Sequence, residues 1–264
     1  MEAWGLGTFM VAAGLAVMLF EYPASPLREM FASAALRRAL VGIAMGLTAV
    51  AIIYSPWGKQ SGAHLNPAVT LALLRLCKVG RQDALFYIVA QFTGGAFGVA
   101  LLALLFGQAF TQSPVAYLVT VPGPAGPWTA FAAEVAISCG LMLVVLIFMN
   151  SQRLAHAAGL AAGVLIAVYI AVESPLSGMS MNPARTFASA ASSGIWDYLW
   201  IYLTAPILGM WLAVDLHAFF EGSTTAMCAK LDHPNQVRCI HCGYGPPAAT
   251  QFAGQSSHCH QQEA

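Results

Sequence analysis

The chain has 264 residues, of which 58% are hydrophobic and only 8% charged. A soluble domain carries about a quarter charged residues and a disordered chain is poor in apolar ones, so both classes are excluded. Eleven Lys and Arg balance eleven Asp and Glu, which leaves no basic excess to hold nucleic acid, and a mean hydropathy of +0.69 fits a polytopic membrane protein.

The first uncharged run is Ala3–Phe20. No basic residue precedes it, and it leads into Glu21-Tyr22-Pro23, so it reads as a retained first helix rather than a secretory signal. Further spans are predicted at about 39–56, 84–106, 129–149, 156–173 and 198–220. Each has the roughly 17–20 residues that cross a hydrocarbon core, and none alternates as a barrel strand would. Two shorter segments, near 66–76 and 182–193, cannot cross. The fold class is therefore an all-α membrane bundle of six transmembrane helices plus two half-helices. Arg75, Lys78, Arg81, Arg153, Lys230 and Arg238 fall on one side, which places that side and both termini in the cytoplasm of a cell (plasma or inner) membrane. Arg28, Arg37 and Arg38 fall on the other and weaken the bias.

The chain repeats itself. Ser61-Gly62-Ala63-His64-Leu65-Asn66-Pro67-Ala68-Val69-Thr70 returns as Ser177-Gly178-Met179-Ser180-Met181-Asn182-Pro183-Ala184-Arg185-Thr186, with six of ten positions identical at an offset of 116. The runs starting at 39 and 154 are offset by 115, and those at 84 and 198 by 114. Two halves, about 3–107 and 129–220, each have three spans and one short segment. An odd number of crossings per half inverts the second half, the layout in which sites form at the midplane between repeats. Within each short segment Asn is a favoured N-cap and Pro is favoured in the first turn. A half-helix should therefore start at Asn66 and another at Asn182, each after a non-helical loop.

These paired motifs resemble the Asn-Pro-Ala signatures of the aquaporin (major intrinsic protein) family. Gln91-Phe92-Thr93-Gly94 and Pro206-Ile207-Leu208-Gly209 support the resemblance, which covers roughly residues 3–220. It implies a passive channel for water and small neutral solutes such as glycerol, in a homotetramer with one pore per protomer. Asn66, Pro67, Ala68, Asn182, Pro183 and Ala184 would form the paired pore motifs, each asparagine capping with its oxygen and leaving its amide NH2 free for water. Arg185 stands where the first repeat has Val69, and by resemblance it is the filter arginine. Alignment assigns Met45, Ile170 and Met179 to the other filter positions, with Gly46 next to Met45 as the alternative. A filter with Ile170 in place of the family's His should favour glycerol-like solutes over water alone.

Glu134 would brace the loop before the second half-helix, and His64 would hold the first loop. In the first half the position aligned with Glu134 is Trp4, and the nearest carboxylate is Glu2. Gly42/Gly46, Gly94/Gly98 and Gly159/Gly163 are GxxxG pairs, read as close helix contacts. No nucleophile–base pair, phosphate loop or HExxH motif appears, so no enzyme is expected. A secondary transporter is the alternative, since inverted repeats with broken helices also build those. The sequence divides into a channel domain over 1–220 and a cytosolic tail over 221–264. In that tail Cys239-x-x-Cys242, with Cys228 and a histidine such as His233, has the composition of a tetrahedral zinc site. A disordered tail with reduced thiols is the other reading, and Gly243–Gln262 looks disordered. The bundle should be complete before the tail begins.

Overall fold

The structure is a computed structural model that describes residues 1–221, 226, 228–233 and 239–242. Arg238 and Gly243–Gln262 lie outside the described residues. Among the described residues six helices are long and apolar enough to cross a membrane, and there is no strand. In chain order the helices are α1 (Glu2–Glu21), α2 (Pro26–Met30), α3 (Ala34–Tyr54), α4 (Pro56–Ser61), α5 (Pro67–Arg75), α6 (Arg81–Phe106), α7 (Gln108–Thr111), α8 (Pro127–Asn150), α9 (Ala158–Val172), α10 (Ser174–Ser177), α11 (Pro183–Ser193) and α12 (Leu199–Glu221). The two half-helices are α5 and α11.

The third and sixth spans pack on the first and fourth, α6 on α1 and α12 on α8, while α3 packs on α9 across the two halves. Glycine makes these approaches possible. A Cβ on Gly46 would lie 2.4 Å from the carbonyl oxygen of Gly163, and one on Gly94 would lie 2.0 Å from that of Ala3. Such contacts replace the hydrophobic driving force that helices lack in lipid. Large apolar side chains such as Phe86, Phe97, Leu104 and Trp128 are exposed on the outside of the bundle, as a lipid-facing surface requires.

Helix α3 begins five residues before its expected start. Ser33 caps it, accepting from the Leu36 N–H at 3.4 Å, and the charged pair Arg37-Arg38 lies inside its first turns. Arg37 is affordable there because Glu21 takes its Nε and Nη2, each at 3.1 Å, and the carbonyls of Phe31 and Ala32 take Nη1. Arg28 Nη1 likewise donates to the Glu21 carbonyl at 2.7 Å. Two of the three arginines on the side opposite the termini are thus tied to the end of α1.

All six spans lie before the tail, and described residues of the tail pack against them. Ala226, Ala229 and Leu231 belong to the main buried apolar cluster together with Ile53, Ala63 and Val145. Cys77 is disulfide-bonded, whereas Cys139 carries a free thiol.

Candidate functional site

Each half-helix is built by the same local rules. Asn66 Oδ1 accepts from the Ala68 N–H at 2.9 Å, and Asn182 Oδ1 from Ala184 and Arg185 at 3.1 and 3.3 Å. Proline follows each cap. Ahead of each cap the backbone repeats in detail: Gly62 and Gly178 (φ +96 and +81), Ala63 and Met179 (both +52), and Leu65 and Met181 (+53 and +54) all adopt the left-handed conformation. L side chains rarely occupy that region, so the loops are held in place by other groups.

A buried carboxylate does the holding. Glu134 accepts from Ser177 Oγ, the Ser180 N–H and the Met181 N–H, all at 2.7 Å. Glu2 repeats the pattern, taking Ser61 Oγ at 2.7 Å, the His64 N–H at 3.3 Å and the Leu65 N–H at 2.7 Å. The alignment that put Trp4 opposite Glu134 is therefore out of register. The register is set by which side chain reaches the loop N–H groups, and that side chain is Glu2. Trp4 instead packs edge-on against Trp57 at 4.5 Å.

Turning these N–H groups toward the carboxylates has a consequence for the other side of each loop. A trans peptide points its C=O opposite to its N–H. The carbonyls of Ala63 and His64, and of Met179 and Ser180, therefore face away from Glu2 and Glu134. All four residues line a cavity of about 270 Å³ that runs between the halves. Tyr87 and Tyr202, 115 positions apart, complete the frame: each hydroxyl donates at 2.6 Å to the carbonyl of Ser61 or Ser177. Sequence reasoning missed this pair, which lies one position off the offset of 114 between the third spans. It also missed fully buried Gln91 as a partner of Glu2, to which its Nε2 donates at 2.8 Å.

His64 lies where the sequence placed it, in the first loop, with Nδ1 3.1 Å from Thr70 Oγ1 and Nε2 2.7 Å from the Ala229 carbonyl. The asparagine amides are less free than expected. Asn66 Nδ2 donates to the Met181 carbonyl at 2.6 Å and Asn182 Nδ2 to the Leu65 carbonyl at 2.7 Å. One N–H of each amide thus ties the halves together, which leaves the second for the cavity.

Asn66, Asn182, Arg185, Met45, Ile170 and Met179 all line that one cavity. Gly46, the alternative to Met45, faces Gly163 on α9 instead. Arg185 Nη1 is buried and finds no acceptor among the described residues. With two helix N-termini meeting at Asn66 and Asn182, the partial positive charge of both half-helix dipoles falls on the same stretch. The arrangement supplies an apolar tube with donors at one level, carbonyl acceptors along its length, and a positive centre.

A family model described as Major intrinsic protein matches residues 3–217. The chain belongs to the major intrinsic protein family. That family is one of channels, and with six apolar helices this member is a multi-pass membrane protein. Its relatives include the putative aquaporin NIP4-1 of Arabidopsis thaliana, 36% identical over 169 residues that make up 64% of this chain and 58% of that protein. Aquaporin NIP2-3 of Zea mays is 35% identical over 192 residues, 72% of this chain and 61% of that protein. The matched region thus spans about three-fifths of the length of these relatives. An X-ray structure of the aquaglyceroporin from Plasmodium falciparum shares the fold, with a TM-score of 0.65 at 21% identity over 82% of this chain and 92% of that one.

The tail residues named from the sequence also come together. The Sγ atoms of Cys228, Cys239 and Cys242 and a ring nitrogen of His233 lie within 4.8 Å of one another.

Proposed function

We propose that the protein conducts water and small uncharged solutes such as glycerol passively through the cavity between its halves. The observation that carries the reading is the meeting of two capped half-helix N-termini, Asn66 and Asn182, on one cavity that Arg185 also lines. A water at that level accepts from both asparagines, which orients it so that it cannot relay a proton along the file. The positive field there repels cations, the kind of barrier by which aquaporin-type pores are selective. Arg185, Met45, Ile170 and Met179 act as the filter. Glu134 and His64 hold the loops, as does Glu2.

The proposed setting is a cell membrane with both termini in the cytoplasm, in a homotetramer with one pore per protomer. The lysine and arginine distribution supports the sidedness, and the family resemblance supports the tetramer. Light scattering of proteoliposomes tests the reading. Shrinkage under a sucrose gradient should be faster than in empty vesicles, and re-swelling under a glycerol gradient should follow. Flux that saturates at micromolar solute, or that a proton gradient drives, would favour the secondary transporter instead.

A further inference from the structure

Past α12 the described chain is neither helix nor strand, yet much of it is buried. Ala226, Cys228, Ala229, Lys230 and Leu231 are each at most 6% exposed. Their partners sit on the loop that leads to Asn66. The Ala229 carbonyl meets His64 Nε2 at 2.7 Å, the Leu231 N–H donates to the Gly62 carbonyl at 3.3 Å, and Asp232 lies 4.0 Å from Lys59 Nζ. The His241 ring stacks on His64 at 5.9 Å, with its Nε2 3.2 Å from the Tyr87 hydroxyl. Leu231 lines the pore cavity itself. The segment therefore occupies the mouth of the cavity at the face that holds the start of α1 and the end of α12.

Fixing each residue of such a segment costs about 1–2 kcal/mol of backbone entropy, and units shorter than about 40 residues usually need a metal, a disulfide or a partner to stay folded. A set of metal-binding atoms is present in the right place. Cys228 Sγ and Cys239 Sγ are 3.3 Å apart, His233 Nε2 and Cys242 Sγ 3.1 Å apart, and the Cys242 N–H donates to Cys239 Sγ at 3.5 Å. Zinc bound at about 2.3 Å to sulfur and about 2.0 Å to nitrogen holds tetrahedral ligands roughly 3.5–3.8 Å from one another. The four atoms close on one ion with shifts of about half an ångström each. Cys228 and His233 also bracket the four residues 229–232, so clamping the two ligands fixes both ends of the loop that carries Leu231.

We propose that Cys228, His233, Cys239 and Cys242 bind one zinc ion, and that this ion holds Leu231 in the pore mouth and narrows the channel at that face, lowering its flux without abolishing it. The metal site stands independently, whereas the gate rests on the channel reading above. Without the ion the two ends of the loop lose their clamp, and its individual hydrogen bonds and the 4.0 Å Lys59–Asp232 pair are each worth only about 1 kcal/mol or less.

Full-length protein tests both parts. Purified protein should carry one zinc per chain by elemental analysis. Cobalt exchanged into it should give thiolate-to-cobalt absorption and the intense visible bands of a tetrahedral site. In proteoliposomes a membrane-permeant zinc chelator should raise water permeability several-fold, and added zinc should restore the low value. C239S/C242S should lose the metal and stay fast regardless of chelator. L231G should keep the metal, read by cobalt absorption, yet also stay fast. Absence of bound metal overturns the site, as does a thiol count four below that of fully reduced protein, two for the existing Cys77 disulfide and two for a Cys228–Cys239 disulfide. Bound metal whose removal leaves the permeability unchanged overturns the gate. Vesicles no faster than empty ones for the native chain with chelator and for both variants would instead overturn the channel reading.

Discussion

The Asn66 amide donates to the carbonyl of Met181 and the Asn182 amide to the carbonyl of Leu65, so each asparagine is bonded to the residue that precedes the other. The two caps are one unit: each orders its own half-helix through Oδ1 and the opposite loop through Nδ2. We expect N66D or N182D to keep the cap and lose the cross-link, because a carboxylate oxygen would then face a carbonyl oxygen. A buried pair broken in this way costs about 1–3 kcal/mol. Both variants should lose thermal stability in detergent and most of their water permeability. Wild-type stability together with wild-type flux and proton exclusion would remove the asparagines from this role.

Glu2 and Glu134 offer the same test in each half. Replacing either by Gln turns one accepting oxygen into an NH2 that faces a loop N–H or hydroxyl. E2Q should therefore destabilise the protein about as much as E134Q, by about 1–3 kcal/mol, whereas W4F, at the aligned but exposed position beside Trp57, should cost less. A W4F effect larger than that of E2Q in thermal unfolding would restore the original alignment.

Glu173 caps the end of α9, outside the membrane-spanning stretch. Burial, aided by the charge of Glu134, pushes its carboxyl up to about 7 against a pull downward from Ser177. A carboxyl raised in the folded state binds its proton more tightly there than in the unfolded chain. Its stabilising contribution is full below the ordinary value of 4.5 and is lost as pH rises through about 7. The loss is at most about 3 kcal/mol. Melting temperature should fall between pH 5 and 8, and E173Q should flatten that slope. An equal slope in both proteins would assign the pH response to other groups.

How far the residues themselves disclosed this arrangement depended on whether a feature recurred in the repeat. Asn66 and Asn182, with their serines, glycines and prolines, recur at one offset and so announce both half-helices. Tyr87 and Tyr202 recur as well, but an aromatic residue in an apolar span carries no signal of its hydroxyl's partner. Glu2 was visible only as the nearest carboxylate, because the spacing from the brace to the motif serine differs between halves, from Glu2 to Ser61 and from Glu134 to Ser177, so the repeat alignment slips. The start of α3 was hidden because a charge-free criterion rejects Arg37, whose charge Glu21 neutralises from another helix. The tail's packing was invisible for a simpler reason: Ala226, Ala229 and Leu231 follow no period, and their burial depends on contacts with residues such as Ile53 and Val145 that meet only in the folded bundle.

The filter gives the sharpest prediction about solutes. Met45, Ile170 and Met179 line the cavity together with Arg185, so one strong donor faces a largely apolar ring. Methionine is unbranched and flexible, and it can move aside for a solute larger than water. Glycerol can lay its CH groups on Met45, Ile170 and Met179 and turn its hydroxyls to Arg185, whereas water on that wall finds few partners. We therefore expect modest water permeability with measurable glycerol permeability. I170H adds a second polar group opposite Arg185 and should shift the ratio toward water. R185V removes the charge and the bulk together, so it should admit larger solutes and weaken cation exclusion. Stopped-flow scattering with glycerol, a larger polyol and water, read alongside a pH-sensitive dye inside the vesicles, measures all three. Rapid water flux with no glycerol entry in the wild-type protein would mean that the ring is narrower than these side chains imply, and an unchanged ratio in I170H would take Ile170 out of the filter.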